Sequence, residues 1–211
     1  MIIAIDGPAA AGKGTLARRI ADAFDFAYLD TGSLYRATAK KVFDKAIDPD
    51  DVQACTVVAL TLSPEDITLE GLRTEQVGQV ASKISVIADV RAALLRFQRD
   101  FAAEPPGGKA GAVLDGRDVG TVVCPDAEVK FFVTASAEVR AERRFKELRE
   151  AGENAIYARV LEEMKERDER DTTRAVAPLK PADDAVVIDT SGLDADQVFE
   201  KARAIVAGKR P

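Results

Sequence analysis

Residues 7–15 read Gly7-Pro8-Ala9-Ala10-Ala11-Gly12-Lys13-Gly14-Thr15, directly after an apolar run, Ile2 to Ile5, closed by Asp6. The spacing G-x-x-x-x-G-K, set between a strand and an amphipathic helix over Thr15 to Phe24, is that of a phosphate-binding loop. Glycines let the backbone turn so that successive N–H groups point inward at phosphate oxygens. The helix beginning near Lys13 adds the positive end of its dipole, and Lys13 reaches the β- and γ-phosphates. This pattern makes residues 7–15 the candidate ATP site. One departure matters. Ser or Thr normally follows the lysine, whereas Gly14 stands there with Thr15 next. The expectation is a Mg²⁺ ion held mostly by nucleotide phosphates and waters, which suits its reluctance to dehydrate. Thr15 is then a direct or water-mediated contact. A rival pattern, G-x-G-x-x-A, runs from Gly12 to Ala17 with Asp30 as a ribose-binding acid. That fingerprint needs its first glycine at the strand end, and it leaves Gly7 and Lys13 unexplained.

Composition narrows the chemistry. The chain has 211 residues, 46% hydrophobic and 31% charged, enough for one domain with a sizeable core and an inserted subdomain. Asp+Glu exceed Lys+Arg, 36 to 30. A surface of that sign does not favour nucleic acid or anionic membrane as a partner. Histidine is absent, which excludes His-based triads, His general bases and His-containing zinc sites. Cys55 and Cys124 match no metal spacing and are too few for a disulfide framework, so they read as buried thiols of a reducing compartment. The first residues carry no basic stretch, and no window approaches the apolar length of a membrane span. The expectation is a cytoplasmic protein. With no coiled coil or long apolar stripe, it is expected to be a monomer.

Five short apolar runs read as buried parallel strands: 2–5, 27–29, 112–114, 129–133 and 185–188. Asp6, Asp30, Asp115 and Asp189 follow four of them. Helical periodicity appears at 15–24, 90–101 and 155–170, and alternation of strands with helices implies a doubly wound sheet covered on both faces. Ligands in such folds sit beyond the carboxyl ends of the strands, where those aspartates lie. The stretch from Asp48 to Ser82 behaves differently: it opens Asp48-Pro49-Asp50-Asp51, includes the strand-like Ile67-Thr68-Leu69, and turns at Glu70-Gly71. It reads as an inserted subdomain. Glu104 to Gly108 reads as a loop, and Gly208 to Pro211 as a frayed tail.

Arginines outnumber lysines 18 to 12 in this acidic chain. Most read as solvated charges or apolar stems covering helices. Three clusters resist that. Thr31-Gly32-Ser33-Leu34-Tyr35-Arg36 follows the second strand and can grip a second phosphate. Asp115-Gly116-Arg117-Asp118 follows the third, with Asp115 placed to position Mg²⁺ or its waters. Arg167, Arg170, Asp171 and Arg174 share one helical face. Upstream, Arg140, Arg143 and Arg144 precede a flexible loop at 150–154, and together these form an arginine-bearing lid. Phosphoryl transfer needs such groups, because charge spreads over the transferring oxygens.

In these residues the chain resembles bacterial cytidylate kinases, the P-loop nucleoside monophosphate kinases that act on CMP and dCMP. The matching stretches are I-A-I-D-G-P-A-A-A-G-K-G-T, L-D-T-G-S-L-Y-R, L-R-T-E-Q-V, V-R-A-A-L-L-R-F-Q-R, L-D-G-R-D-V-G-T-V-V and K-E-R-D-E-R-D-T-T-R-A-V-A-P-L, in order along the chain. The resemblance implies a three-layer α/β P-loop fold with a five-stranded parallel sheet. It implies one domain over 1–211, with a nucleotide-binding insert at about 34–84 and a short lid at about 143–158. It implies ATP and Mg²⁺, transfer of the γ-phosphoryl group to CMP or dCMP, and no nucleic-acid or membrane partner. By the same resemblance Thr31, Arg36 and Arg117 hold the acceptor phosphate; Ser82, Arg91, Asp118 and Arg174 read cytosine; Arg167 and Asp171 face the sugar. Lys13, Arg117, Arg143 and Arg144 serve the transfer, and Thr15 and Asp115 stand nearest the metal. A carboxylate at 118 accepts from the exocyclic N4 amine of cytosine and repels the O4 of uracil. The insert looks short for the family. Two other readings remain at this point: another small P-loop kinase acting on shikimate, gluconate or a different nucleotide, and an ATP-dependent switch protein. A GTPase is set aside because no N-K-x-D occurs.

Overall fold

The computed structural model describes residues 1–209, in the order β1 (Ile2–Asp6), α1 (Lys13–Phe24), β2 (Ala27–Asp30), α2 (Thr31–Asp44), α3 (Val52–Leu60), α4 (Glu75–Ile84), α5 (Ala88–Ala103), β3 (Ala112–Gly116), β4 (Val129–Thr134), α6 (Ala137–Glu150), α7 (Tyr157–Thr173), β5 (Val186–Asp189) and α8 (Ala195–Lys209). The five strands form one parallel sheet in the order β2-β3-β1-β4-β5. The five expected strands are all present. Each runs one or two residues further, to an aspartate in β1, β2 and β5, to Gly116 in β3 and to Thr134 in β4. Because alternate side chains of a strand face opposite ways, the sheet feeds two cores. Ala4, Leu29 and Leu114 face α2 to α5, and Ile3, Ile5, Val113 and Phe131 face α1 and α8. This is the three-layer α/β arrangement anticipated from the alternation of elements. No helix of the described residues is long and apolar enough to cross a membrane.

The chain turns back between β1 and β2 on one side and between β3 and β4 on the other, so a crevice opens above the carboxyl end of β1. Register aligns the strand-end carboxylates there: Asp115 pairs with Ile5 on one side and with Asp30 on the other, and Asp6 pairs with Gly116. The segment between β2 and β3 holds helices joined by loops and no strand. The strand expected at Ile67-Thr68-Leu69 is absent; Pro64–Thr68 is instead a short 3-10 turn. The reason is local. Pro64 sits at the first helical position, and the Asp66 carboxylate accepts from both the Ser63 backbone N–H at 2.8 Å and its hydroxyl at 3.2 Å. Cys55 and Cys124 are buried free thiols. Of the expected tail, Gly208 and Lys209 belong to α8, and residues 210–211 lie outside the described residues.

Candidate active site

The loop after β1 curls because its backbone leaves the usual regions at several positions. Gly7 has φ +146, and a Cβ there would stand 1.9 Å from the Val133 carbonyl oxygen of β4, so the loop begins where only glycine fits. Gly12, at φ +95, closes the loop as the residue before α1. Lys13 folds back across it, and its Nζ donates to the Pro8 carbonyl at 2.6 Å. Lys13 is only 7% exposed. Burial, with the Arg117 guanidinium adding to it, pushes its pKa well below the ordinary lysine value, opposed by Asp115 and Asp6. An anionic ligand beside this amine would favour its charged form.

Next to the loop, Asp115 is buried. One oxygen accepts from the Tyr28 hydroxyl at 3.1 Å, and the other lies 3.5 Å from where a Cβ of Gly14 would stand. Burial first, and the neighbouring Asp30 second, push its carboxyl up to about 6. Thr31 opens α2 and donates from its hydroxyl to the Asp115 carbonyl at 2.8 Å. Asp30 holds two guanidiniums, Arg36 at 3.5 Å and Arg73 at 3.2 Å.

Beyond β3 the cleft becomes rich in arginine. Arg117 donates from Nε to Asp171 at 2.9 Å, joining the turn after β3 to α7. Asp118 forms a buried ion pair with Arg91 of α5, with Arg174 at 3.6 Å on its other oxygen. Burial pushes the Asp118 carboxyl up, and Arg91, Arg174 and Arg117 work against it. Asp171 is held below the ordinary carboxylate value, because Arg117 and Arg167 outweigh its burial. Ser82 of α4 accepts from Arg170 Nε at 3.2 Å. Arg167 is pushed down to about 10 by burial and by Arg117. Among the described residues, the buried Arg167 Nε and Arg174 Nη2 have no hydrogen-bond partner. Buried guanidinium donors left open in this way suit an incoming acceptor atom.

These groups line one continuous cleft of about 500 Å³, from Ala9 and Lys13 at one end to Asp118 and Arg174 at the other. It brings together Ala9 to Thr15, Thr31, Arg36, Ser82, Arg91, Asp115, Arg117, Asp118, Arg144, Arg167, Asp171 and Arg174. Three of the residues assigned from the sequence to ATP, to CMP, to the metal or to the transfer stand outside it. Gly7 is packed against β4, and Pro8 turns its carbonyl to Lys13. Arg143 points away: its guanidinium donates to the Thr190 hydroxyl at 2.9 Å and to the Thr190 carbonyl at 2.8 Å. Arg144 does line the cleft, paired with Glu75 of α4 at 2.9 Å.

Arg140 was expected among the lid arginines, but its partners were not, and some other participants escaped the sequence altogether. Arg140 is buried and forked onto Asp168 at 3.1 and 2.6 Å, and it donates to the Ala135 carbonyl at 3.0 Å. A longer contact, 3.4 Å, reaches the Ala9 carbonyl of the phosphate loop. Nothing in the sequence pairs residues so far apart. Glu75 and Arg73 lie in the L-R-T-E-Q-V stretch without a motif of their own. Tyr28 was findable, since it sits two residues before Asp30 on the same strand face.

A sequence profile of the family described as cytidylate kinase matches residues 3–207. A protein of Paramagnetospirillum magneticum named cytidylate kinase is 63% identical over 209 residues, 99% of both chains. One of Rhodospirillum rubrum with the same name is 56% identical, covering 99% of this chain and 98% of its own. Among solved structures, an uncharacterized protein from Eubacterium ventriosum shares the fold at TM-score 0.55 and 14% identity, with 98% of each chain covered. A gluconokinase from Sinorhizobium meliloti superposes at TM-score 0.50 and 15% identity, covering 97% of this chain and 90% of that one. With its fold, its phosphate loop and its whole length in agreement, the chain belongs to the cytidylate kinase family.

Proposed function

We propose that this chain transfers the γ-phosphoryl group of ATP to the 5′-phosphate of CMP or dCMP. The observation that carries this reading is the single cleft joining Lys13 and its loop to the Asp118–Arg91–Arg174 cluster, with the buried Arg167 Nε beside it left without a hydrogen-bond partner. Such a cleft suits two anionic ligands end to end, one of them carrying a base read by a carboxylate.

In this reading the loop amides and Lys13 hold the β- and γ-phosphates of ATP. Thr31, Arg36 and Arg117 hold the phosphate of the acceptor. An acceptor oxygen forms its bond to the γ-phosphorus as the bond to the β,γ-bridging oxygen breaks, and ADP leaves with that electron pair. No proton has to be abstracted first, because the acceptor phosphate is already anionic at neutral pH, so a chain without histidine loses nothing. Lys13, Arg117 and Arg144 neutralise charge on the transferring group. Arg143, tied to Thr190, supports its helix rather than the phosphates. Asp118 accepts from the cytosine amine, with Arg91, Arg174 and Ser82 around the same ring. Arg167 and Asp171 face the sugar. The donor set also fits Mg²⁺: the Thr15 hydroxyl and the Asp115 carboxylate are hard oxygen ligands on the same side of the loop, and they would hold the ion directly or through water. When bound, Mg²⁺ supplies charge neutralisation on the phosphate oxygens. Residues 34–84 serve as the nucleotide-binding insert and residues 143–158 as a lid that excludes water. All of these groups come from one chain, which supports action as a monomer.

The test is ADP release with Mg·ATP and a panel of CMP, dCMP, UMP, AMP, GMP, shikimate and no acceptor. CMP and dCMP should turn over far above the rest. In Asp118→Asn the preference for CMP over UMP should fall by about tenfold or more, the discrimination expected of a base-edge hydrogen bond. Equal wild-type turnover on UMP would remove the base-reading role of Asp118. ADP release without acceptor, or silence on every nucleotide, would remove the nucleotide-kinase reading.

A further inference from the structure

Asp6 ends β1 and immediately precedes the phosphate loop, yet none of the steps above employs it. Its side chain is 4% exposed and lies behind the cleft rather than in its lining. Both carboxylate oxygens are engaged: Oδ1 accepts from the Val119 N–H at 2.8 Å and Oδ2 from the Gly120 N–H at 2.7 Å. Those two amides open a single π-helical turn, Val119–Val123, which begins right after Arg117 and Asp118. Isolated π turns interrupt regular backbone and are frequent at functional sites.

The geometry around this contact is bracketed. On the near side, strand pairing joins Asp6 to Gly116 through the backbone. On the far side, the Asp6 carboxylate grips Val119 and Gly120. Arg117 and Asp118 lie between these two anchor points, and Asp118 itself has an irregular backbone with φ −145 and ψ 24. One residue therefore fastens the turn that carries the acceptor-side groups to the strand from which the phosphate loop springs. Only a carboxylate offers two acceptors at this spot; an asparagine would turn an N–H₂ group toward one of the two N–H donors. The partner position is crowded, since a Cβ on Gly120 would lie 3.4 Å from Asp6 Oδ2 and 3.2 Å from Lys130 Cδ.

We propose that Asp6 is a positioning residue, its carboxylate holding the Arg117–Asp118 turn in register with the phosphate loop and so setting the separation of phosphoryl donor and acceptor. This rests on the assignment of Arg117 and Asp118 to the CMP side of the cleft. Burial is the largest influence on the Asp6 carboxyl and pushes it up to about 6, so the contact is retained although ionising the group here is unfavourable.

The experiment compares wild type, Asp6→Asn, Gly120→Ala and the double variant, each checked for folding by circular dichroism. It measures kcat and KM for CMP and UMP at saturating ATP, and the Kd for ATP by displacement of a fluorescent nucleotide. In folded Asp6→Asn, kcat/KM for CMP should fall by about 10²-fold, the scale of a displacement near 1 Å, with kcat carrying much of the loss. The CMP-over-UMP ratio should fall with it, while the Kd for ATP stays within about threefold. Gly120→Ala should move the same quantities the same way by less, and the double variant should fall short of additivity because both changes strain one contact. Unchanged CMP kinetics in folded Asp6→Asn would overturn the proposal, as would ATP affinity and CMP turnover falling in equal measure. Should Asp6→Asn fail to fold, Gly120→Ala decides alone, and wild-type CMP kinetics in that variant would overturn it. A wild type silent on CMP in the same assay would overturn instead the functional reading beneath.

Discussion

Asp115 sits where function and stability pull in opposite directions. Burial and Asp30 push its carboxyl up to about 6 from an ordinary 3.8, despite Lys13, Tyr28 and Arg117. Between those two values the folded protein keeps a proton that the unfolded chain has released. Stability therefore declines as pH rises from about 4 to about 6 and levels off above, by up to about 3 kcal/mol for a two-unit shift. Asp115→Asn, which leaves an oxygen for the Tyr28 hydroxyl, should lack that slope. It should be more resistant to urea than wild type at pH 7 and no more resistant at pH 4, while its kcat drops. Equal urea midpoints at pH 7 would contradict the account. Asp115 was legible in the sequence as an aspartate closing an apolar strand beside the phosphate loop, although the other strand-end aspartates proved to have structural partners instead. The direction of Arg143 was not legible. It is set by Thr190, 47 residues away, and short-range spacing holds no information about such a partner. Separation in sequence likewise hid the partners of Arg140, Asp168 of α7 and Ala9 of the phosphate loop.

At the level of elements, short apolar runs, four of them closed by aspartate, located every strand of the sheet, since a buried parallel strand must be apolar on both faces. The miss at residues 67–69 has an equally physical origin. Three residues of strand-like composition were outvoted by Pro64 and the Ser63–Asp66 hydrogen bonds beside them. The hairpin of α6 and α7 shows the reverse situation, in which local pattern predicts the helices and a long-range contact seats them. Its small core of Ala141, Leu148, Val160 and Met164 packs against Ala9 and Ala10 of the phosphate loop, and the Arg140–Asp168 fork fastens the two helices together. Breaking a fully buried pair costs about 3–5 kcal/mol. Asp168 keeps a 25% exposed side chain, so water recovers part of that loss. Arg140→Met should lose about 2 kcal/mol in urea unfolding. A loss under about 0.5 kcal/mol would show that the fork is idle, because ordinary surface substitutions fall in that range.

Across the whole molecule, charge is unevenly distributed. The chain carries six more acidic than basic side chains, yet nine Lys and Arg residues against eight Asp and Glu line the cleft. Composition alone pointed away from polyanions, and the motifs were needed to show that small anions have a place prepared for them. Strand order was beyond the sequence, because nothing in an apolar run states which neighbour it will pair with. The alanine contacts of the phosphate loop carry one more consequence. The two-helix hairpin has only four buried apolar residues of its own and leans partly on the loop to cover them, whereas α1 and α8 share the larger core beneath the sheet. Regions with thin cores open independently of the global unfolding transition. In amide hydrogen exchange, α6 and α7 should lose protection as one cooperative unit well before β1 and β3, and saturating ATP should slow that unit by restricting the loop it rests on. A nucleotide gripped by the phosphate loop would then act as a clasp on the α6–α7 foldon, coupling donor occupancy to the order of the arginine-bearing hairpin before any acceptor arrives.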